Sequence, residues 1–267
     1  MSSFSPDFSS FKGARVVIFI PTFNCESTII SVINRIPKVA DAAILVVDNC
    51  STDNTVAVVG NLISSGNAPY PLVVLSNPRN LGYSGSQKAA YELVREMPSV
   101  EWMIMLHGDG QYDPQLISRL VPEMKTDADV VYGYRSKREP TEETPLLSFA
   151  IIKILSVIES AITGYLRKEW HSGFVMYRTR FLRRVELQAL TTTPHIDGHL
   201  LFVAGLLQAK TKPVRIYKRY KELTVFEGAA RRKYVLDVLL LMFQFRRTRI
   251  EAIERTKAPD QAFEPLV

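Results

Sequence analysis

Three side chains able to bind cations fall at alternate positions in the stretch MLHGDGQYDP, Met105 to Pro114: His107, Asp109 and Gln111. Alternate residues of an extended chain share one face, so the spacing predicts an imidazole, a carboxylate and an amide aimed the same way. A hard cation such as Mg²⁺ takes oxygen ligands, which suits Asp109 and Gln111. Imidazole ligates Mn²⁺ or Zn²⁺ better than Mg²⁺. His107 therefore reads in three ways: turned to a bound ligand or a cation-held water, a direct metal ligand, or a structural histidine. Asp113 and Pro114 predict a helix start, with the carboxylate as cap and the proline in the first turn. A second alternating set, His195, Asp197 and His199, lies in a helical pattern that spoils any shared face. Those three are not predicted to bind metal together.

Two further groups could act on an anion. Arg135, in YGYR, carries the forked guanidinium that suits phosphate. The stretch EWHSGF supplies Glu169 and His171, either of which could serve as a general base. Cys25 and Cys50 are the two cysteines. They are too few for a disulfide framework, and both follow predicted strands at one end of a sheet.

The elements that must position these groups are legible as short runs. ARVVIFIP, AAILVVDN, PLVVLSN, EWMIMLHGDG and ADVVYGYR are apolar and rich in branched residues, and each ends in turn residues. Such runs suit strands of a parallel sheet covered on both faces. Helical patterns lie between them at Ser27–Ile36, Thr52–Ser64 and Ser84–Arg95, with Ser51 or Thr52 as a cap of the second. The alternation predicts an open α/β sheet. In such sheets ligands bind beyond the carboxyl ends of the strands. Here those ends carry Thr22–Asn24, Asp48–Asn49, Asn77 and Asp109. Beyond Arg138 the order is a polar loop, an apolar helical region at Leu146–Leu166, a strand and a helix after EWHSGF, a helix in HIDGHLLFVAGLLQA, the strand KPVRIYKRY, and a late helix from Arg231 to about Arg249.

The chain has 267 residues and a formal charge of +6, from 33 Lys and Arg against 27 Asp and Glu. That excess favours a phosphorylated ligand or an anionic surface. The basic runs carry no nucleic-acid motif, so nucleic acid is not an expected partner. The N-terminus lacks a basic start followed by an apolar run, and a reducing cytoplasm is the expected compartment. Neither Leu146–Ile162 nor Val235–Phe245 is expected to supply the roughly 18 apolar residues of a spanning helix, since Lys153 and Glu159 interrupt the first.

IPTFNCESTI, ILVVDNCSTDNT, NLGYSGSQKAA, HGDGQYDP, YGYR and HSGF resemble, in order and spacing, the inverting family 2 glycosyltransferases over residues 15–225. The nearest subgroup is the polyprenyl-phosphate (dolichyl-phosphate type) sugar transferases. The resemblance implies a GT-A fold, Rossmann-like and mostly parallel with flanking helices. It also implies a nucleotide-sugar donor of UDP or GDP type and a divalent metal, Mg or Mn. Residues 1–225 would form the transferase domain, and residues 226–267 a helical extension for dimer or membrane contact.

Carried over by position, Pro21, Thr22, Asn24, Glu26, Asp48, Asn49, Asn80, Gly82, Lys88, His107 and Gly108 would meet the donor. Asp109 and Gln111 would hold the metal. Arg135, His171, Ser172, Asp197 and Arg219 would meet the acceptor, with Asp109 and Arg135 catalytic. Three positions depart from the pattern. Asn49 replaces a frequent second acid, His107 the first acid of Asp-x-Asp, and Val175 a second phosphate-binding arginine. Arg178, Lys218 or Arg219 could stand in for that arginine. A polyprenyl phosphate acceptor at the cytoplasmic membrane face, a soluble or glycan hydroxyl acceptor, and a non-catalytic nucleotide-sugar binding module are the three readings. A homo-oligomer or a peripheral membrane contact would use the late helix.

Overall fold

Val16–Thr22, Ala42–Asp48 and Leu72–Ser76 are nearly unbroken in apolar residues, so they need cover on both faces. They form β1, β2 and β3 of a computed structural model, which describes residues 8–219 and 229–245. Trp102–Met105 (β4), Val130–Arg135 (β5), Val175–Arg178 (β6) and Thr211–Ile216 (β7) complete a seven-stranded sheet, ordered β3-β2-β1-β4-β6-β5-β7. Neighbours are parallel except that β6 runs antiparallel to β4 and β5. The open, mostly parallel α/β sheet forms as the sequence predicts, with one reversed strand inside it.

Alternation sends successive side chains to opposite faces. Val17, Phe19, Ala43 and Leu45 pack with residues of α3 (Gly82–Arg95), α6 (Thr179–Leu182) and α7 (Ile196–Leu206). Ile18, Ile20, Ile44 and Val46 pack with α1 (Ile29–Asn34), α2 (Thr55–Ser64) and α4 (Ile117–Leu120). The register sets Thr22 beside Asp48 and Asp48 beside Ser76. The polar ends of the first three strands are therefore level with one another.

Helix starts shift by two or three residues from expectation: 29 against 27, 55 against 52, and 82 against 84. The second shift has a clear cause. The Ser51 N–H donates to Asp48 Oδ2 at 3.0 Å, and the Ser51 hydroxyl donates to the same carboxylate. Ser51 therefore braces the strand end and does not cap the helix. Asp53 accepts from the Thr55 N–H at 2.9 Å and from the Glu26 N–H at 3.1 Å, which ties the first turn to the second.

The apolar region after Pro145 forms α5, Leu146–Thr163, and the late helix forms α8, Ala229–Phe245. Leu155, Val238 and Met242 make a small core between them. By length and composition the 18 residues of α5 suffice to cross a membrane, contrary to the expectation above, and 17% of the helix is buried. Both of its charged residues point inward, as described below. Leu146, Leu147, Ile154 and Val157 are exposed on α5, and Leu236, Leu240 and Phe243 on α8. Residues 246–267, with Arg246, Arg247 and Arg249 of the predicted late helix, lie outside the described residues, as do residues 220–228.

Asp53→Ala removes the acceptor shared by two turns and leaves the N–H of fully buried Thr55 without its partner. It should lower stability by about 1–2 kcal/mol, read as a shift in the urea midpoint at unchanged slope.

Candidate active site

A cavity of about 690 Å³ opens at the carboxyl ends of the strands. Pro21, Thr22, Asn49, Asn80, Gly82, His107, Gly108, Asp109, Gln111, Arg135, His171 and Asp197, all candidate site residues from the sequence, line it. Six predicted site residues do not. Asn24 takes the Thr52 N–H at 2.8 Å, and its own N–H donates to Ser51 Oγ at 2.8 Å. Glu26 accepts from the Asn54 backbone at 3.2 Å and side chain at 3.0 Å. Asp48 is spent on Ser51. These three stitch the first strand end to the second.

Lys88 is a correction to the predicted donor contact. Its ammonium donates to the carbonyls of Leu190 at 2.6 Å and Gln188 at 3.4 Å, so it clamps a turn. Ser172 is buried and accepts from the Phe174 N–H at 3.2 Å. Arg219 pairs with Asp113 at 3.3 Å, and Asp113 accepts from the Gln115 N–H at 3.1 Å as the expected helix cap.

Asn49 shows why an amide can replace an acid. Its Nδ2 donates to Asn80 Oδ1 at 2.9 Å, and its Oδ1 accepts from the Leu81 N–H at 2.9 Å. A carboxylate has no proton for the first bond. Asn80 Oδ1 also accepts from the Gly82 N–H at 2.8 Å, so this pair fixes the loop that enters α3. Of the two thiols, Cys25 lines the cavity, and burial pushes it up to about 11. Cys50 is exposed and does not line the cavity, although it too follows a strand at that end of the sheet.

His107, Asp109 and Gln111 all line the cavity, but not from an extended chain. β4 stops at Met105, and Gly110 takes a left-handed φ of 72°. The Gln111 N–H then folds back onto Asp109 Oδ1 at 2.9 Å. Gly108 packs so tightly that a Cβ there would sit 2.6 Å from Thr22 Cγ2. His107 Nε2 lies 3.3 Å from the Tyr83 hydroxyl, which donates to Asp197 Oδ2 at 3.0 Å. At Gly173 a Cβ would come within 2.7 Å of His107 Nε2 and 2.9 Å of that hydroxyl. Burial lowers the His107 pKa, Lys218 adds to this, and Asp109 opposes it. The imidazole is thus neutral near pH 7 with a lone pair to offer. One carboxylate, one amide oxygen and one neutral imidazole lining one cavity are a donor set that fits a divalent cation of Mg or Mn type.

Arg135 ends β5 and is buried. Its Nε donates to Glu169 Oε1 at 2.7 Å and its backbone N–H to Oε2 at 2.7 Å. Lys153 of α5 reaches the same carboxylate at 3.1 Å. Burial would raise Glu169, but Arg135 and Lys153 outweigh it and hold it below the usual carboxylate range. It is a poor general base. Lys218 lines the cavity with Arg135, and burial and Arg135 lower it to about 8. Among the three stand-ins for the missing arginine, Lys218 has the right place. Arg178 lies over the Trp102 ring at 4.7 Å instead.

Sequence reasoning missed Tyr83, Glu159 and Tyr234. Tyr83 and Tyr234 line the cavity. Glu159 is a charge inside an apolar helical run, and that oddity was the available signal. Its carboxylate meets His171 and His195. Burial works to raise it, yet the two imidazoles hold it at about 2. His195, Asp197 and His199 diverge, as the helical pattern predicts. His195 turns to Glu159, Asp197 to Tyr83, and His199 Nδ1 accepts from the Thr191 N–H at 3.0 Å. Burial also raises the Asp197 carboxyl to about 7, although Tyr83 opposes this.

A mostly parallel sheet with flanking helices and a polar cavity at its carboxyl edge is the GT-A architecture. The profile of glycosyl transferase family 2 matches residues 17–187, and the chain belongs to that family. Among curated relatives, polyprenol monophosphomannose synthase of Mycolicibacterium smegmatis is 24% identical over 66% of this chain and 66% of its own length. Dolichol-phosphate mannosyltransferase of Pyrococcus furiosus is 25% identical over 66% of this chain and 49% of its own. The lipopolysaccharide core biosynthesis glycosyltransferase LpsC of Rhizobium meliloti is 30% identical over 46% and 41%. The chain therefore spans from under half to about two thirds of these relatives. Glucosyl-3-phosphoglycerate synthase from Mycobacterium tuberculosis, in complex with Mn²⁺, UDP and glucosyl-3-phosphoglycerate, shares the fold. The TM-score is 0.61 at 17% identity, over 87% of this chain and 81% of the other.

Glu169 is fully buried between two cations. Glu169→Gln leaves buried Arg135 without its counter-charge and should cost about 3–5 kcal/mol, measured as a lowered denaturant midpoint.

Proposed function

We propose that this chain is a divalent-cation-dependent inverting transferase that moves a sugar from a UDP- or GDP-type donor to a polyprenyl phosphate. The observation that carries the reading is one cavity lined by Asp109, Gln111 and His107 and also by Arg135 and Lys218. A cation held by Asp109 and Gln111, with His107 beside it, would neutralise charge building on the leaving diphosphate. Arg135 and Lys218 would hold the acceptor phosphate for in-line attack at the anomeric carbon. Glu169 positions Arg135 and supplies no base. None is needed for this acceptor, because a phosphate monoester has a second pKa near 6 and is already anionic at about neutral pH.

The names of two relatives, which act with polyprenol and dolichol phosphates, support the lipid acceptor. So do the exposed apolar side chains of α5 and α8. A helix that shows such residues on its outer face suits an interfacial position. These features support a peripheral position on a membrane, for which the cytoplasmic face is the proposed side. Residues 1–225 are proposed as the transferase domain and 226–267 as an extension that contacts the bilayer or a second copy. A soluble phosphorylated acceptor is the second reading, since the structural neighbour is a glucosyl-3-phosphoglycerate synthase and the same two cations would serve. Labelled UDP- and GDP-sugars, Mg²⁺ or Mn²⁺, and either polyprenyl phosphate, a soluble phosphomonoester or a glycan separate the readings. Transfer to none of them leaves a binding module.

Asp109→Ala should lower kcat/KM by about a thousandfold while the melting curve is retained; near-normal turnover removes the cation-loop assignment. The folded-state pKa of Lys218, about 8, adds a pH signature. Its charge, and with it acceptor affinity, is present below that value and lost as pH rises through it. The acceptor KM should therefore climb above about pH 8. In Lys218→Arg, whose guanidinium stays charged, that climb should be absent.

A further inference from the structure

Glu159 of α5, His171 in the turn before β6, His195 at the entry to α7 and Tyr234 of α8 converge from four parts of the chain. His195 Nε2 lies 2.6 Å from Glu159 Oε1, and His171 Nε2 lies 2.9 Å from Oε2. The Tyr234 hydroxyl stands 2.9 Å from His171 Nδ1 and 3.1 Å from His195 Nδ1. The two rings lie 4.9 Å apart at 32°. Side-chain exposure is 0% for Glu159, 2% for His171 and 1% for His195.

The protons of this ring do not close if both imidazoles are neutral. With each Nε2–H turned to the carboxylate, both Nδ1 atoms need a donor. The tyrosine has one proton to give. The contact between His171 Nε2 and Glu159 Oε2 is also misaligned. Although close, neither atom makes a hydrogen bond. Both are buried and aimed at the same space.

We infer that Glu159, His171 and His195 bind a divalent transition metal of the Zn²⁺ class, at a site separate from the Asp109 loop. A metal on the two Nε2 atoms replaces their protons. Each Nδ1–H then donates to the Tyr234 oxygen, whose two lone pairs accept both. Metal-bound histidines are oriented in this way by an acceptor on the far nitrogen. Two imidazoles and one carboxylate form the ligand set of zinc sites that keep an open position. The ligand atoms lie within 4.8 Å of one another. Tetrahedral zinc with bonds of about 2.0–2.1 Å needs ligand atoms roughly 3.3 Å apart, so the two short contacts open by a few tenths of an ångström or slightly more. His171 and His195 line the cavity, which directs the open position into it. Arg135 is nearby, and its pairing with Glu169 at 2.5 Å reduces its repulsion of the ion. Imidazole ligands select Zn²⁺ over Mg²⁺, and this separates the site from the oxygen-rich loop at Asp109. The inference does not depend on the identity of the acceptor.

Untagged full-length protein is stripped with chelator and titrated with Co²⁺, with the visible d–d absorption as readout, then with Zn²⁺ under elemental analysis. About one Co²⁺ per chain should bind with a tetrahedral-type spectrum, be displaced by Zn²⁺ and resist millimolar Mg²⁺. Asp109→Ala should keep the spectrum. Glu159→Gln, His171→Gln and His195→Gln should each lose it. Tyr234→Phe should keep the stoichiometry and weaken affinity about 10- to 100-fold. A wild-type protein without the spectrum overturns the inference, as does a spectrum that survives in the histidine variants or disappears in Asp109→Ala. Should the glutamine variants fail to fold, the wild-type titration, Asp109→Ala and Tyr234→Phe still decide.

Discussion

The carboxylate of Glu169 is the fixed point around which the cavity is built. It accepts from the Arg135 backbone and guanidinium and from Lys153, and it is fully buried. An isolated charge at that depth costs several kcal/mol, so the three partners cannot drift from it. One joins the end of β5, another α5, and the carboxylate itself belongs to the turn before β6. The sheet edge and the apolar helix are thus held by one set of electrostatic contacts. The cation offered to a ligand keeps its place because its partner can go nowhere else.

Local order follows directly from the chain. Short unbroken runs rich in branched residues suit strands covered on both sides, and the runs at 16–22, 42–48 and 72–76 form them. Their polar ends gather because parallel strands in register end together. What the chain conceals is which polar group answers which. Asn24, Glu26 and Lys88 carry ligand-like chemistry, yet each is consumed by a neighbouring turn. Those bonds lie 28 to 102 residues apart in sequence, and no local pattern announces them. The alternation at 107, 109 and 111 implies an extended segment, whereas β4 ends at Met105 and Gly110 is left-handed, so the three reach the cavity from a turn.

Lys218 and Glu159 mark the same limit from the other side. Both are visible as charges, one in a basic run and one in an apolar helix. Only the pairing of β7 with β5, and the contact of α5 with His195 just before α7, give them addresses. A charge inside an apolar run signals an inward-facing partner without naming it. The compensation is general: Lys153 and Glu159 are the interruptions that make α5 look unlike a spanning segment, and both serve the interior while the outer face stays apolar.

Gly173 constrains how this cavity can change over generations. A Cβ there would enter the space of His107 Nε2 and the Tyr83 hydroxyl. A side chain at 173 therefore requires two neighbours, from different elements, to give way together. A shorter acid at 107 relieves one of these contacts and leaves the Tyr83 hydroxyl in place. The glycine answers to both walls at once, so neither His107 nor Tyr83 alone decides what position 173 can hold.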